Sequence, residues 1–255
     1  MKELSVIKVG TGVLTRVEDG TLDEAALVRL VTAIADLVER GHRCLLVSSG
    51  AVGAGVSAFG LTAYPTDILD RQACAAVGQA RLMHTYENLF RNFGLSIAQV
   101  LLSGDDLRSE TTRHHVRMTL ERLLAEGRIV PILNENDSVA IEELRMGDND
   151  LLSARVAQLV GATKLVLLTN VDGLIDPEKD CTVAEVDDVD KVLGHVRDER
   201  GKFSIGGMAS KLQAIKFAVE SGIETHIAHG RHPDRLAGIF AGDDGCSTRF
   251  SAKKS

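Results

Sequence analysis

Arg128-Ile129-Val130-Pro131-Ile132-Leu133 runs directly into Asn134-Glu135-Asn136-Asp137-Ser138-Val139-Ala140, and this junction decides the fold class. The first stretch is a short apolar run, which reads as a buried strand. The second gathers carboxamides and carboxylates just beyond its end. Polar residues clustered past a strand's carboxyl end are where open α/β sheets hold their ligands. A second cluster of the same kind follows at Gly147-Asp148-Asn149-Asp150. One acid-rich stretch alone would read better as a surface loop. Two in tandem point to a small polar substrate with metal and phosphate nearby, since carboxylates repel polyphosphate unless a cation or lysines intervene.

Outward from this junction, strand-like and helix-like segments alternate. Strands are predicted at Leu4–Val9, Cys44–Ser48, Ser96–Leu102, Ile129–Leu133, Lys164–Thr169 and Glu224–Ala228. Helices are predicted at Asp23–Arg40, Arg71–Phe93, Arg108–Glu126, Asp150–Val160 and Met208–Ser221. The first is the clearest: Leu27, Leu30, Val31, Ile34 and Val38 make one face, Asp23 suits the cap, and Gly41 stops it. Strand and helix alternating in this way imply a mainly parallel sheet covered on both faces. No linker divides the chain, so a single domain of two lobes is expected, residues 1–160 and 161–250, with Ser251–Ser255 as a loose tail.

Composition excludes several function classes. The chain has 255 residues, 44% of them apolar, and a net charge of −7. An acidic chain without a basic run is a poor nucleic-acid binder, and 4% aromatics leave little to stack on bases. No apolar run reaches membrane-spanning length, and no leader pattern precedes Leu4. Cys44, Cys74, Cys181 and Cys246 lack metal-ligand or redox spacing, as expected of a reduced cytoplasmic protein.

Three glycine-rich turns carry the next signal: Gly10-Thr11-Gly12, Ser48-Ser49-Gly50-Ala51-Val52-Gly53-Ala54-Gly55, and Gly206-Gly207-Met208. Glycine lets backbone approach phosphate oxygens, and amides at a helix start donate to anions. None fits a P-loop or a clean dinucleotide fingerprint. Lys8 stands inside the apolar first strand, where a lysine is costly unless it reaches a partner. An edge position with its amine in water would also suit Lys8, and Lys211 alone suits a solvated helix residue. Together they suit a clamp on a transferring phosphoryl group. The eight histidines fall outside these segments and read as surface residues.

From Lys8-Val-Gly-Thr to Gly206-Gly-Met, and most specifically at Val47-Ser-Ser-Gly-Ala-Val, Ala76-Val-Gly-Gln79, Asn134-Glu-Asn-Asp137 and Gly147-Asp-Asn-Asp150, the chain resembles the glutamate 5-kinases of the amino acid kinase superfamily. The resemblance implies an eight-stranded, mainly parallel αβα sandwich. It also implies phosphorylation of the side-chain carboxylate of L-glutamate by ATP with Mg²⁺, the first step of proline biosynthesis. By the same resemblance, Ser49, Gly50, Ala51, Asp137 and Asn149 bind glutamate. Lys8, Gly10, Thr11, Gly12, Thr169, Asn170, Ile205, Gly206, Gly207, Met208, Ala209, Ser210 and Lys211 bind the nucleotide, and Asp150 holds the two lysines. No protein metal ligands are implied. A homo-oligomer (dimer or tetramer) with the Arg71–Phe93 helix at its interface, feedback by proline, and glutamyl phosphate reductase as a functional partner are further expectations, with no nucleic acid or membrane. The chain is similar to kinase-only members lacking a C-terminal PUA domain. It departs from the family at Asn170, where Asp is usual, and at Ser204-Ile205, where Gly-Thr is usual. Two alternatives stay open: a related kinase acting on N-acetylglutamate, aspartate, carbamate or a nucleoside monophosphate, and a catalytically weak regulator on the same fold.

Overall fold

A computed structural model describes residues 3–138, 149–176, 181–198, 208–242, 245 and 247–253. In chain order the elements are β1 (Leu4–Val9), α1 (Thr11–Leu14), α2 (Glu24–Glu39), β2 (Arg43–Ser48), α3 (Ala51–Val56), α4 (Ile68–Arg91), β3 (Ser96–Leu102), α5 (Glu110–Ala125) and β4 (Ile129–Glu135). They continue as α6 (Asn149–Leu159), β5 (Lys164–Thr169), β6 (Ile175–Asp176), β7 (Cys181–Thr182), β8 (Glu185–Val186), α7 (Val189–Asp198), α8 (Met208–Glu220), β9 (Glu224–His229), α9 (Leu236–Ala241) and β10 (Ser247–Phe250).

The main sheet has eight strands in the order β3-β4-β2-β1-β5-β9-β10-β8. Every neighbouring pair is parallel except β9–β10. β6 and β7 form a separate antiparallel ribbon. All six residues of β1 are buried, which fits its place in the middle of the sheet. The two-residue period of a strand sends Leu4, Val6 and Lys8 to one face and Ile7 and Val9 to the other. Leu4 and Val6 join a core formed with Leu120 and Leu124 of α5, Leu152 and Val156 of α6, Val189 and Leu193 of α7, and Leu212 and Ile215 of α8. Ile7 and Val9 join a second core with Leu27, Leu30 and Ile34 of α2, Leu82, Tyr86 and Phe90 of α4, and Leu236 of α9. The architecture is therefore a three-layer αβα sandwich, as expected, with Lys8 on the α6–α8 side.

α2 forms as its pattern predicts. The Asp23 carboxylate accepts from the Ala26 amide at 3.1 Å, and Gly41, at φ 95°, ends the helix in a conformation that suits glycine. Burying each of its large aliphatic side chains contributes about 1.5–3 kcal/mol before the entropy of ordering is set against it.

Several findings differ from the sequence reading. α4 starts at Ile68 rather than Arg71, because the Asp67 carboxylate accepts from the Leu69 and Asp70 amides. The glycine-rich stretch Ala51–Val56 is helical; its glycines fit because α3 presses against α4, where a Cβ on Gly55 or Gly78 would run into backbone of the other helix. Residues 251–253 are tied down as far as Lys253, with Ser251 N–H donating to Val186 O at 3.3 Å and Lys253 N–H to Val219 O at 3.1 Å. His226 is a buried residue of β9 rather than a surface histidine, and its ring bonds Glu224 and Ser247.

Candidate active site

The carboxyl ends of β1, β2, β4 and β5 meet at one edge of the sheet, beside the point where the chain crosses from β4 to β5 on the other flank of β1. Such crossover points are where open parallel sheets leave a crevice. Lys8 sits there between Val47 of β2 and Leu167 of β5 and is 2% exposed. A buried ammonium without a counter-charge would cost several kcal/mol. Its counter-charge is Asp150, in the first turn of α6: Lys8 Nζ lies 2.6 Å from one carboxylate oxygen, and Lys211 Nζ of α8 lies 3.1 Å from the other. Asp150 is fully buried. α6 packs on both β1 and α8, which brings the three side chains together. Gly10 follows close by; a Cβ there would sit in ordinary contact, 3.5 Å from Lys8 Nζ.

A carboxamide network lies alongside. Asn149 Nδ2 donates to Ser49 Oγ and to Asn134 Oδ1, both at 2.9 Å, and the Glu135 amide donates to Asn149 Oδ1 at 3.3 Å. Asn134 Nδ2 donates in turn to Gln79 Oε1 at 3.1 Å. All four side chains are buried. Gly50 is held at φ 102°, a left-handed conformation open to glycine, and Ala51 begins α3. Asp137 is half-buried two residues past β4, its amide donating to Glu135 O.

On the other flank, Gly10 N–H donates to Leu168 O at 3.1 Å, and Gly230 N–H donates to Thr169 O at 2.7 Å. Thr11 and Gly12 open α1, and the Asn170 carboxamide packs against Gly12 so closely that a side chain at residue 12 would collide with it. Met208 and Ser210 are half-buried and Ala209 exposed at the start of α8. Ile205, Gly206 and Gly207 lie outside the described residues, as do Gly147 and Asp148.

The structure thus brings Lys8, Asp150 and Lys211 into one bridge and Ser49 and Asn149 into one hydrogen-bonded pair. It adds Gln79 and Asn134, which the sequence marked only as parts of motifs. A glutamine on the buried face of a helix otherwise carried by Leu82, Tyr86 and Phe90 was the available signal. No group of three His, Cys, Asp or Glu side chains among the described residues is arranged to hold a metal ion, and no described helix is long and apolar enough to cross a membrane.

Residues 3–229 match the amino acid kinase family. The chain is 44% identical over 254 residues to a glutamate 5-kinase of Symbiobacterium thermophilum, covering 96% of this chain and 95% of the relative. It is 43% identical over 250 residues to that of Rippkaea orientalis, covering 95% and 68%. Among solved structures, a carbamate kinase from Giardia lamblia bound to citric acid superposes with a TM-score of 0.66 at 16% identity, covering 98% of each chain. UMP kinase from Ureaplasma parvum superposes at 0.63 and 14%, covering 98% and 99%. These two likenesses speak to the fold.

Proposed function

The chain belongs to the amino acid kinase family and, within it, to the glutamate 5-kinases, and on that premise we propose how its residues share the work of the reaction. The enzyme transfers the γ-phosphoryl group of ATP to the side-chain carboxylate of L-glutamate, giving ADP and L-glutamyl 5-phosphate, the first step of proline biosynthesis. The observation that carries the residue assignment is the buried Lys8–Asp150–Lys211 bridge beside Ser49 and Asn149.

The nucleophile is glutamate's own carboxylate, which is ionised at neutral pH because its ordinary pKa is about 4.3. A general base has nothing to remove. What remains is to bring two anions together and to meet the charge that develops on the bridging and transferring oxygens. Lys8 and Lys211 supply positive charge from two sides, and the amides of Thr11 and Gly12 at the start of α1 serve the nucleotide phosphates. Gly10, its own amide bonded to Leu168 O, gives close backbone approach, and Gly206, Gly207 and Met208 belong to the same nucleotide site. Asp150 is a positioning residue: with each oxygen within 3.1 Å of an ammonium, it orients both amines. Thr169, Asn170, Ile205, Ala209 and Ser210 complete the nucleotide side. Because Asp150 is already shared between two ammonium groups, Mg²⁺ fits as a companion of the ATP phosphates and water rather than of a protein cage. When bound, the ion neutralises phosphate charge.

Ser49, Gly50, Ala51, Asp137 and Asn149 hold glutamate. Asp137, a half-buried carboxylate beyond β4, is the partner for the free α-ammonium, which N-acetylglutamate lacks. The same reading extends to feedback by proline, to consumption of the product by glutamyl phosphate reductase, and to a dimer or tetramer with α4 at its interface. Exposed Ile68, Leu69 and Val77 on α4 support the last of these. A coupled ADP-release assay with glutamate, aspartate and N-acetylglutamate tests the function. Turnover with glutamate alone is expected. Efficient use of the acetylated compound would move the chain to a sister activity, and no turnover with any of them would favour a regulator.

A further inference from the structure

The order of donors and acceptors across the buried carboxamides is fixed by one group that cannot turn round, the backbone N–H of Glu135. It points at Asn149 at 3.3 Å, so Asn149 must present Oδ1 to it. Asn149 Nδ2 then faces Ser49 and Asn134, and both of its hydrogens are committed. Asn134 must answer with Oδ1, which turns its own Nδ2 toward α4 and Gln79 Oε1. Ser49 Oγ, having accepted from Asn149, keeps its hydrogen to give to something else. We propose that Gln79 is a positioning residue for the amino acid substrate: by accepting from Asn134 it meets the buried donor that the polarity set by Glu135 leaves facing α4, and so stabilises the chain Gln79–Asn134–Asn149–Ser49 in the order in which Ser49 presents a donor to a substrate carboxylate while Asn149 Oδ1 keeps one lone pair for a substrate donor.

Two features place Gln79 for this. It is 8% exposed, so the Asn134 N–H it satisfies has little access to water as a substitute. Its neighbour Gly78 lets α4 touch the Ala51 carbonyl, so the same turn of α4 that holds Asn134 also braces the Ser49-Gly50-Ala51 segment. The carboxylate and ammonium of an α-amino acid need one donor and one acceptor face, and the locked polarity offers both. Reversing it would put Ser49's lone pairs against a carboxylate.

The inference rests on the glutamate kinase reading, and the two fail differently. Gln79→Met keeps the length of the side chain and removes the acceptor. It is expected to raise the KM for glutamate about tenfold, the effect of leaving one buried donor unmet, with the KM for ATP and kcat at saturating glutamate within about twofold. Gln79→Glu retains an oxygen for Asn134 and is expected to recover at least part of the loss. Asn134→Leu combined with Gln79→Met is expected to be no worse than Asn134→Leu alone, since both remove the same bond. A Gln79→Met enzyme with wild-type glutamate KM, or effects that multiply in the double variant, would overturn the assignment. Equal losses for glutamate and ATP, with lowered thermal stability, would make Gln79 merely structural. A wild type that does not turn over glutamate at all would instead bring down the functional reading, and this inference with it.

Discussion

Lys8 shows how one side chain joins stability to chemistry. A lysine at the fifth position of a buried central strand is tolerated because Asp150 meets it at 2.6 Å, and the same contact aims its amine at the sheet edge where phosphate would arrive. Lys8→Ala and Lys211→Ala are each expected to lower kcat by about 10²–10³-fold, as for other electrostatic donors to a transition state. Glutamate KM should move far less, and near-normal kcat in both variants would remove them from the mechanism. Asp150→Asn separates capping from positioning. Read as an exposed helix start, Asn at 150 would leave stability unchanged. Full burial against two ammonium groups changes that expectation: the variant should lose about 3 kcal/mol of unfolding free energy, because it leaves buried positive charge uncompensated. Its kcat, measured on folded protein, should fall at least tenfold. Wild-type kcat would reduce Asp150 to a structural residue. Asp137→Ala should instead raise glutamate KM with little change in kcat, and an unchanged KM would take Asp137 out of the substrate site.

Between elements, the contact that matters most is α3 on α4. A Cβ on Gly78 would land on the Ala51 carbonyl oxygen, so Gly78→Ala must push the helices apart. Overpacking of this kind costs about 1–3 kcal/mol or more. Since Ala51 follows Ser49 and Gly50, the shift should also raise glutamate KM; urea unfolding and steady-state kinetics on one preparation would show the two losses together, and a stable variant with unchanged KM would show that the helices can part freely. The pair also marks where the sequence became hard to read. α2 was legible because its apolar residues repeat at helical spacing between a capping Asp and a stopping Gly. α3 was not, because its two glycines, Gly53 and Gly55, look like turn residues until tertiary neighbours press on them. β10 was missed because Ser247-Thr-Arg-Phe250 carries polar side chains whose partners lie on other elements, such as Thr248 Oγ1 bonding the Val183 carbonyl. The site divided the same way. Lys8 stood out against an apolar strand, whereas Gln79 needed the distance to Asn134 to acquire a role.

Across the whole molecule, the sheet uses its two edges differently: the carboxyl edge gathers the candidate chemistry, while the amino edge of β5 and β9 gathers an ion cluster that holds the β5–β9–β10 flank together. Lys164 Nζ lies 2.8 Å from Glu224 and donates to Ile239 O at 3.1 Å. His226 Nε2 lies 3.0 Å from the same carboxylate and Nδ1 lies 3.2 Å from Ser247 Oγ, which links β9 to β10. Burial alone would raise the Glu224 carboxyl, but hydrogen bonds with His226 and Lys164 and the Lys164 charge more than offset it and hold it at about 2, against an ordinary 4.5. A carboxyl whose folded value lies below its unfolded value binds protons more readily when the chain unfolds. Its contribution is therefore complete above about pH 4.5 and is lost as the pH falls toward about 2. Urea midpoints followed downward from pH 5, as far as the chain stays folded, should decline in the wild type. Glu224→Gln should start lower at pH 5 and decline less steeply over the same range. Because the Glu224 side chain keeps 30% of its exposure, added salt should shrink the difference between the two proteins. Parallel declines at every salt concentration would mean that other carboxylates carry the acid sensitivity and that this edge of the sheet is held by packing alone.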